Sequence, residues 1–147
     1  MGKRRSAREL ALKFLYQTEF NEGAIQEQLD QFWMRLSIQD ETKSFMKALV
    51  ESTFLHLAEI DEILKKYSEH WALDRMTVID RNILRFGVCE LLYFSSVPPK
   101  VAINEAVEVA KKYGNEESPD FINGVLDRIY KDLSPSLVHP SDQYPPP

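Results

Sequence analysis

Lys3, Arg4, Arg5 and Arg8 crowd the amino end of the chain, and their type and spacing suit the gripping of phosphate. A guanidinium keeps its charge at any physiological pH and presents a planar fork of donors that matches phosphate oxygens. A segment that passes from chain end into helix can order on RNA and touch several phosphates. Tyr16 lies on a helical stripe with Arg8 and Leu12. There its ring either stacks on an unpaired base or closes the edge of the core. Phe121 offers a second ring, close to a helix start marked by Ser118 and Pro119. Free N–H groups at such a start can hold a phosphate. The plain alternative for Phe121 is an ordinary core side chain. Glu116 and Glu117 nearby repel phosphate, yet carboxylates can accept hydrogen bonds from bases.

Catalysis has little to stand on. His56, His70 and His139 are scattered, and none has a metal-ligand partner at helical spacing. Cys89 falls within the most apolar segment and reads as a small buried hydrophobe rather than a nucleophile. As the lone cysteine it can form no intramolecular disulfide and build no thiolate cage. No glycine-rich phosphate loop is present. Asp80 and Glu90 stand ~15 Å apart along a helix, too far for a carboxylate pair. The expectation is a protein with no catalytic residue, no metal and no cofactor.

The chain has 147 residues, the size of one domain, and its 44% hydrophobic content can bury a core. The basic start lacks the apolar stretch of a secretory signal, and no run of about 18 apolar residues suggests a membrane span. With one thiol, this fits a cytoplasmic protein. Residues 1–16 hold Lys3, Arg4, Arg5, Arg8 and Lys13 against Glu9, a net +4 on a chain of net −5, which leaves −9 for the rest. A basic terminus on an acidic body can hold a polyanion at one place while the body repels it elsewhere. A solvated, uninvolved tail has the same composition.

The elements that must position these residues all read as helices. Ser6 and Glu9 have capping-box spacing and predict a helix start at Ser6. Ala7, Leu10, Ala11, Phe14 and Leu15 follow as its buried stripe. After a break at Asn21-Glu22-Gly23 comes a stripe of Ile25, Leu29, Phe32, Trp33 and Leu36. Asp40 can cap a third helix through Leu57, which runs on or bends through Tyr67. Residues 68–76 read as a connector. Thr77 and Asp80 can cap a helix from Val78 to Phe94 that is apolar on all sides and therefore central. Gly87 in it permits close approach of a neighbour, and Glu90 demands a partner, because burying a bare carboxylate is costly. Pro98-Pro99 ends that segment. A helix around Ile103 to Tyr113 follows, with Gly114 as its C-terminal cap, and then one opened by Ser118-Pro119 and running to Leu133. The Ser/Pro-rich residues 134–147 have little to bury and are expected to be disordered.

Three stretches carry a resemblance: RRSARELALKFLY from Arg4 to Tyr16, IDRNILRFGVCELLYF from Ile79 to Phe94, and VPPKVAINEAVEVAKKYGNEESPDFINGVLDRIY from Val97 to Tyr130. Over about Arg4 to Leu133 the sequence resembles the NusB family of transcription antitermination factors. The resemblance implies an all-α bundle of two packed helical subdomains, about 1–70 and 71–133, and a role without catalysis. It implies binding of single-stranded boxA-type RNA together with the ribosomal protein NusE. The assembly joins the elongating RNA polymerase with other Nus factors and promotes processive transcription of ribosomal RNA operons. Carried onto this chain, the arginine-rich start is Arg4, Arg5 and Arg8. The acidic-Ser-Phe segment that contacts RNA is Glu117, Ser118 and Phe121, and the NusE-facing positions are Tyr16 and Asp80. Ser6 stands where some members have arginine, which weakens the basic patch slightly.

Two rival readings differ in class. The same helical domain precedes the catalytic domain of some RNA cytosine methyltransferases, but no glycine-rich cofactor loop follows here. A protein-only adaptor would need no arginine cluster, and its interactions would lack the steep salt dependence of phosphate contacts.

Overall fold

The computed structural model describes residues 2–68 and 72–134, so His70, His139 and residues 135–147 of the C-terminal tail lie outside the described residues. Among the described residues seven α-helices follow one another: α1 (Lys3–Thr18), α2 (Ile25–Met34), α3 (Asp40–Leu55), α4 (Leu57–Tyr67), α5 (Val78–Tyr93), α6 (Pro99–Tyr113) and α7 (Ser118–Leu133), with one 3-10 turn at Leu73–Arg75. Among the described residues there is no strand. The all-helical reading therefore holds.

α5 is the hub. It touches α1, α3, α4, α6 and α7, and residues on every side of it are buried, among them Ile83, Leu84, Phe86, Val88 and Leu91. This is the outcome expected of a helix with no polar face. The Gly87 position lies against Leu126 of α7, where an added Cβ would stand 2.9 Å from Leu126 Cδ1, so close approach is what this glycine provides. Cys89 is buried, and burial raises its thiol pKa, in keeping with a packed apolar side chain rather than a reactive one. α1 contributes Ala7, Ala11, Leu12, Phe14 and Leu15 to the same core and packs on α2, α3, α5 and α6.

Several helix ends differ from the sequence expectation, each for a physical reason. α1 begins at Lys3 rather than Ser6, and the Ser6 N–H bonds to Gly2 O instead of opening a capping box. Glu9, the other half of that box, reaches Lys112 and Tyr113 on α6 at 2.8 Å each. Tertiary partners thus outcompete the local cap. The long third segment bends at His56, whose ring stacks on Tyr93 at 3.7 Å between centroids. Thr77 does cap α5, accepting from the Asp80 N–H at 3.1 Å. Gly114 follows α6 in extended backbone (φ −88°, ψ −172°), not in the left-handed conformation of the usual glycine cap. It is needed for space: a Cβ there would lie 2.5 Å from Ser118 Oγ and 2.9 Å from Ala110 O. Among the described residues no helix is long and apolar enough to cross a membrane.

Candidate nucleic-acid interface

The start of α1 places its cations in three different settings. Arg4 is exposed, and its guanidinium lies 4.8 Å over the ring of Phe45 on α3. Arg5 is half-buried and forms a two-point fork with Glu105 on α6, at 2.9 Å from Nε and 2.7 Å from Nη2. That contact raises the Arg5 pKa above its ordinary value and holds the Glu105 carboxyl below its own. Arg8 is 2% exposed and makes the same kind of fork with Glu90 in the hub helix, at 2.8 and 2.7 Å. Lys3 is exposed and pairs with Glu41 at 3.2 Å.

Arg8 was expected among the phosphate contacts, and its placement corrects that expectation. Its Nε and Nη2 are bonded to Glu90, its Nη1 stands 3.6 Å from Glu105, and it has almost no surface. A buried arginine facing a buried carboxylate is a structural tie. The pairing also answers the demand that Glu90 made from sequence. Burial pushes the Glu90 carboxyl pKa up, while the Arg8 fork and the Arg4 charge pull it down. Arg4, Arg5 and Arg8 line one groove of about 340 Å³ with Val97, Pro98, Val101 and Glu105. On the far side of Arg4 a second hollow of about 470 Å³ runs along Lys3, Asp40, Glu41 and Phe45.

A second site forms where α7 begins. Glu117 and Phe121 share a cleft of about 150 Å³ with Arg75, Met76, Thr77, Asp80 and Asn115. Ser118 lies outside its lining. Its hydroxyl accepts from the Asn115 N–H at 3.0 Å, while Asn115 Oδ1 accepts from the N–H groups of Glu117 and Ser118 at 2.9 and 3.1 Å. The two residues cap each other, so the cap is Asn115, three positions before the serine that sequence reading chose. Ser118 is 1% exposed and offers no free hydroxyl to a ligand. Phe121 is half-buried at the rim. Asp80 is 8% exposed, and its Oδ1 is buried without a hydrogen-bond partner. The turn therefore presents an aromatic edge and acceptors, with Arg75 as the cation.

Tyr16 is 43% exposed and stacks obliquely on Phe20 at 5.2 Å. Glu19, next to Phe20, bonds Arg81 at 2.7 Å and Asn82 at 2.8 Å, which ties this end of α1 to the start of α5 beside Asp80. Tyr16 and Asp80, expected to face one partner, thus sit on helix ends clamped together. The structure also joins Asp80 to Glu117 and Phe121, which sequence reasoning had assigned to a different ligand. Glu105, Phe45, Arg75 and Asn115 were missed as site residues. Glu105 meets an arginine 100 positions away and carries no local signal for it.

The NusB family model matches residues 5–131. The chain belongs to the NusB family. It is 47% identical to the transcription antitermination protein NusB of Thermodesulfovibrio yellowstonii, over 88% of this chain and 93% of that protein. It is 45% identical to the NusB protein of Myxococcus xanthus, over 88% and 95%. Among solved structures, NusB of T. maritima superposes with a TM-score of 0.81 at 34% identity, covering 95% of each chain. The NusB-family fold also aligns with a crystal structure of the antitermination factors NusB and NusE in complex with double-stranded RNA, with a TM-score of 0.77 at 33% identity, over 90% of this chain and 98% of that one.

Proposed function

We propose that this NusB-family chain is a transcription antitermination factor that binds boxA-type single-stranded RNA together with NusE. In this reading it acts in the cytoplasm by binding rather than by catalysis. The bound pair joins the elongating polymerase with other Nus factors and sustains transcription of ribosomal RNA operons. The observation that carries the reading is the family match over residues 5–131. The NusB relative solved with NusE and double-stranded RNA supports NusE and RNA as the partner classes.

The geometry supports a division of labour. Lys3, Arg4 and the outer edge of Arg5 attract the backbone, while Arg8 holds α1 in place from below. Phe121 stacks on an unpaired base, with Glu117 and Asp80 accepting from base donors or from the protein partner. Tyr16 and Phe20 dock NusE, and the acidic body discourages adhesion elsewhere. The two halves, about 1–70 and 71–133, act as subdomains, with Arg5 and Arg8 of the first reaching Glu105 and Glu90 of the second.

The test is a titration of a labelled single-stranded boxA-like RNA, with and without purified NusE, against shuffled and duplex controls and across a salt series. The pair should bind more tightly than either protein alone, and affinity should fall with salt. Equal binding of the shuffled strand, or no gain from NusE, would remove the antitermination reading. Salt-independent association with NusE and no RNA binding would instead identify a protein-only adaptor.

A further inference from the structure

We propose that Glu105 sets how strongly the arginine groove holds a polyanion, because it occupies the edge of Arg5 that a phosphate would take. The inference rests on the RNA-binding reading above and adds to it a residue that limits affinity. Glu105 engages both Nε and Nη2 of Arg5 at 2.9 and 2.7 Å, and it stands 3.6 Å from Arg8 Nη1. A carboxylate and a phosphate offer a guanidinium the same pair of oxygens, so they compete for the same edge. Arg4, Arg5 and Arg8 bring three positive charges to the groove, and Glu90 and Glu105 return two negative ones.

The two carboxylates are not equivalent. Glu90 is fully buried and no ligand reaches it. The Glu105 side chain is 20% exposed at the groove wall, and that of its partner Arg5 is 37% exposed. This second pair can open: Glu105 swings toward water, and a phosphate takes its place on Arg5. A strand held by phosphate alone must displace a carboxylate to gain the two-point contact on this edge, the outer edge of Arg5 alone offering a weaker attraction. A strand also held at the Phe121 cleft, or by a bound protein, has additional interactions that offset the displacement. Glu105 therefore lowers the affinity of the groove for every strand alike, so that RNA anchored elsewhere as well is what binds.

Glu105→Gln keeps the shape and removes the charge. Its affinity for a labelled single-stranded RNA should rise roughly three- to tenfold. The slope of log affinity against log salt should steepen by about 0.7, the value of one added phosphate contact on a single strand. The gain should be the same for boxA-like and shuffled strands, because phosphate contacts carry no sequence information. Glu105→Ala should show the same direction, which guards against a fault peculiar to the glutamine. In an Arg5→Ala background, Glu105→Gln should gain less than about twofold, since the two residues act as one unit. Melting temperatures of all variants show whether the fold is intact. Unchanged or weakened binding by folded E105Q and E105A overturns the proposal, and so does a full gain without Arg5. If the wild-type protein binds no RNA, the functional reading itself falls. If it binds and E105Q shows no gain, the role of Glu105 alone falls.

Discussion

The groove at the start of α1 and the cleft at the start of α7 are built on opposite principles. The groove is rich in cations, and most of them already have an anion: Arg5 holds Glu105 and Arg8 holds Glu90. The cleft is rich in acceptors, and Asp80 Oδ1 in it is buried with nothing to receive from. A phosphate that takes the paired edge of Arg5 in the groove must exchange one ion pair for another, whereas the cleft holds an acceptor that no protein donor meets. The difference teaches that counting arginines overstates what the groove can hold, and that the cleft offers acceptors where the groove offers cations. Backbone contacts position a strand, and contacts to base edges specify it.

The sharpest way to break this contrast is to unpair the deep half of the groove. Glu90→Ala leaves the Arg8 guanidinium buried without its anion and should cost about 3–5 kcal/mol of folding stability, read by urea denaturation. A much smaller loss would mean that Arg8 finds water or another partner and is not the tie described above. In the cleft, Phe121→Ala should cost about 1–3 kcal/mol of RNA binding with the fold preserved, measured by titration and circular dichroism. If it unfolds the protein instead, Phe121 belongs to the core. Gly114→Ala forces a Cβ against Ala110 O and Ser118 Oγ and should cost about 1–3 kcal/mol of stability, seen as a lower melting temperature. It should weaken the cleft before the groove, because the Asn115–Ser118 cap fixes the start of α7.

Two gentler tests sharpen the contrast. Arg4→Ala removes an exposed cation held only over a ring and should flatten the salt dependence of RNA binding by about one phosphate contact, near 0.7 in slope. Acid should loosen the groove. The hydrogen bond from Arg5 holds the Glu105 carboxyl below the ordinary 4.5. The unfolded chain therefore takes up this proton first, so the contact's contribution is complete above that pH and declines as pH falls below it. A melting curve followed through pH 5 to 3 should show a loss that shrinks in E105Q, and identical profiles would exclude this linkage.

Much of this was legible in the sequence. The apolar-all-round segment around Ile83 to Leu91 had to be the hub, because a helix without a polar face has nowhere else to go. Glu90 inside it had to be paired or hydrogen-bonded, and the structure meets that demand with Arg8. What the pattern could not show was which arginine would be consumed. Arg4, Arg5 and Arg8 look alike in a row, yet helical rotation sends one to solvent, one to the wall and one into the core. The helix starts were misread for a related reason. Ser6 and Ser118 are good caps locally, but Glu9 was drawn to α6 and Asn115 reached the free N–H groups first. Residues that act across 82 or 100 positions leave no trace at short range.

Those long spans have a consequence for the order in which the molecule is made. α1 is synthesised before its partners, and the carboxylates that pair with Arg8 and Arg5 arrive only when residues 90 and 105 have been made. Until then its arginines are bare cations on a nascent chain beside the most abundant RNA in the cell. Arg5 is thus paired only once α6 has been made, and a chain truncated before α6 should be a stickier polycation than the finished protein.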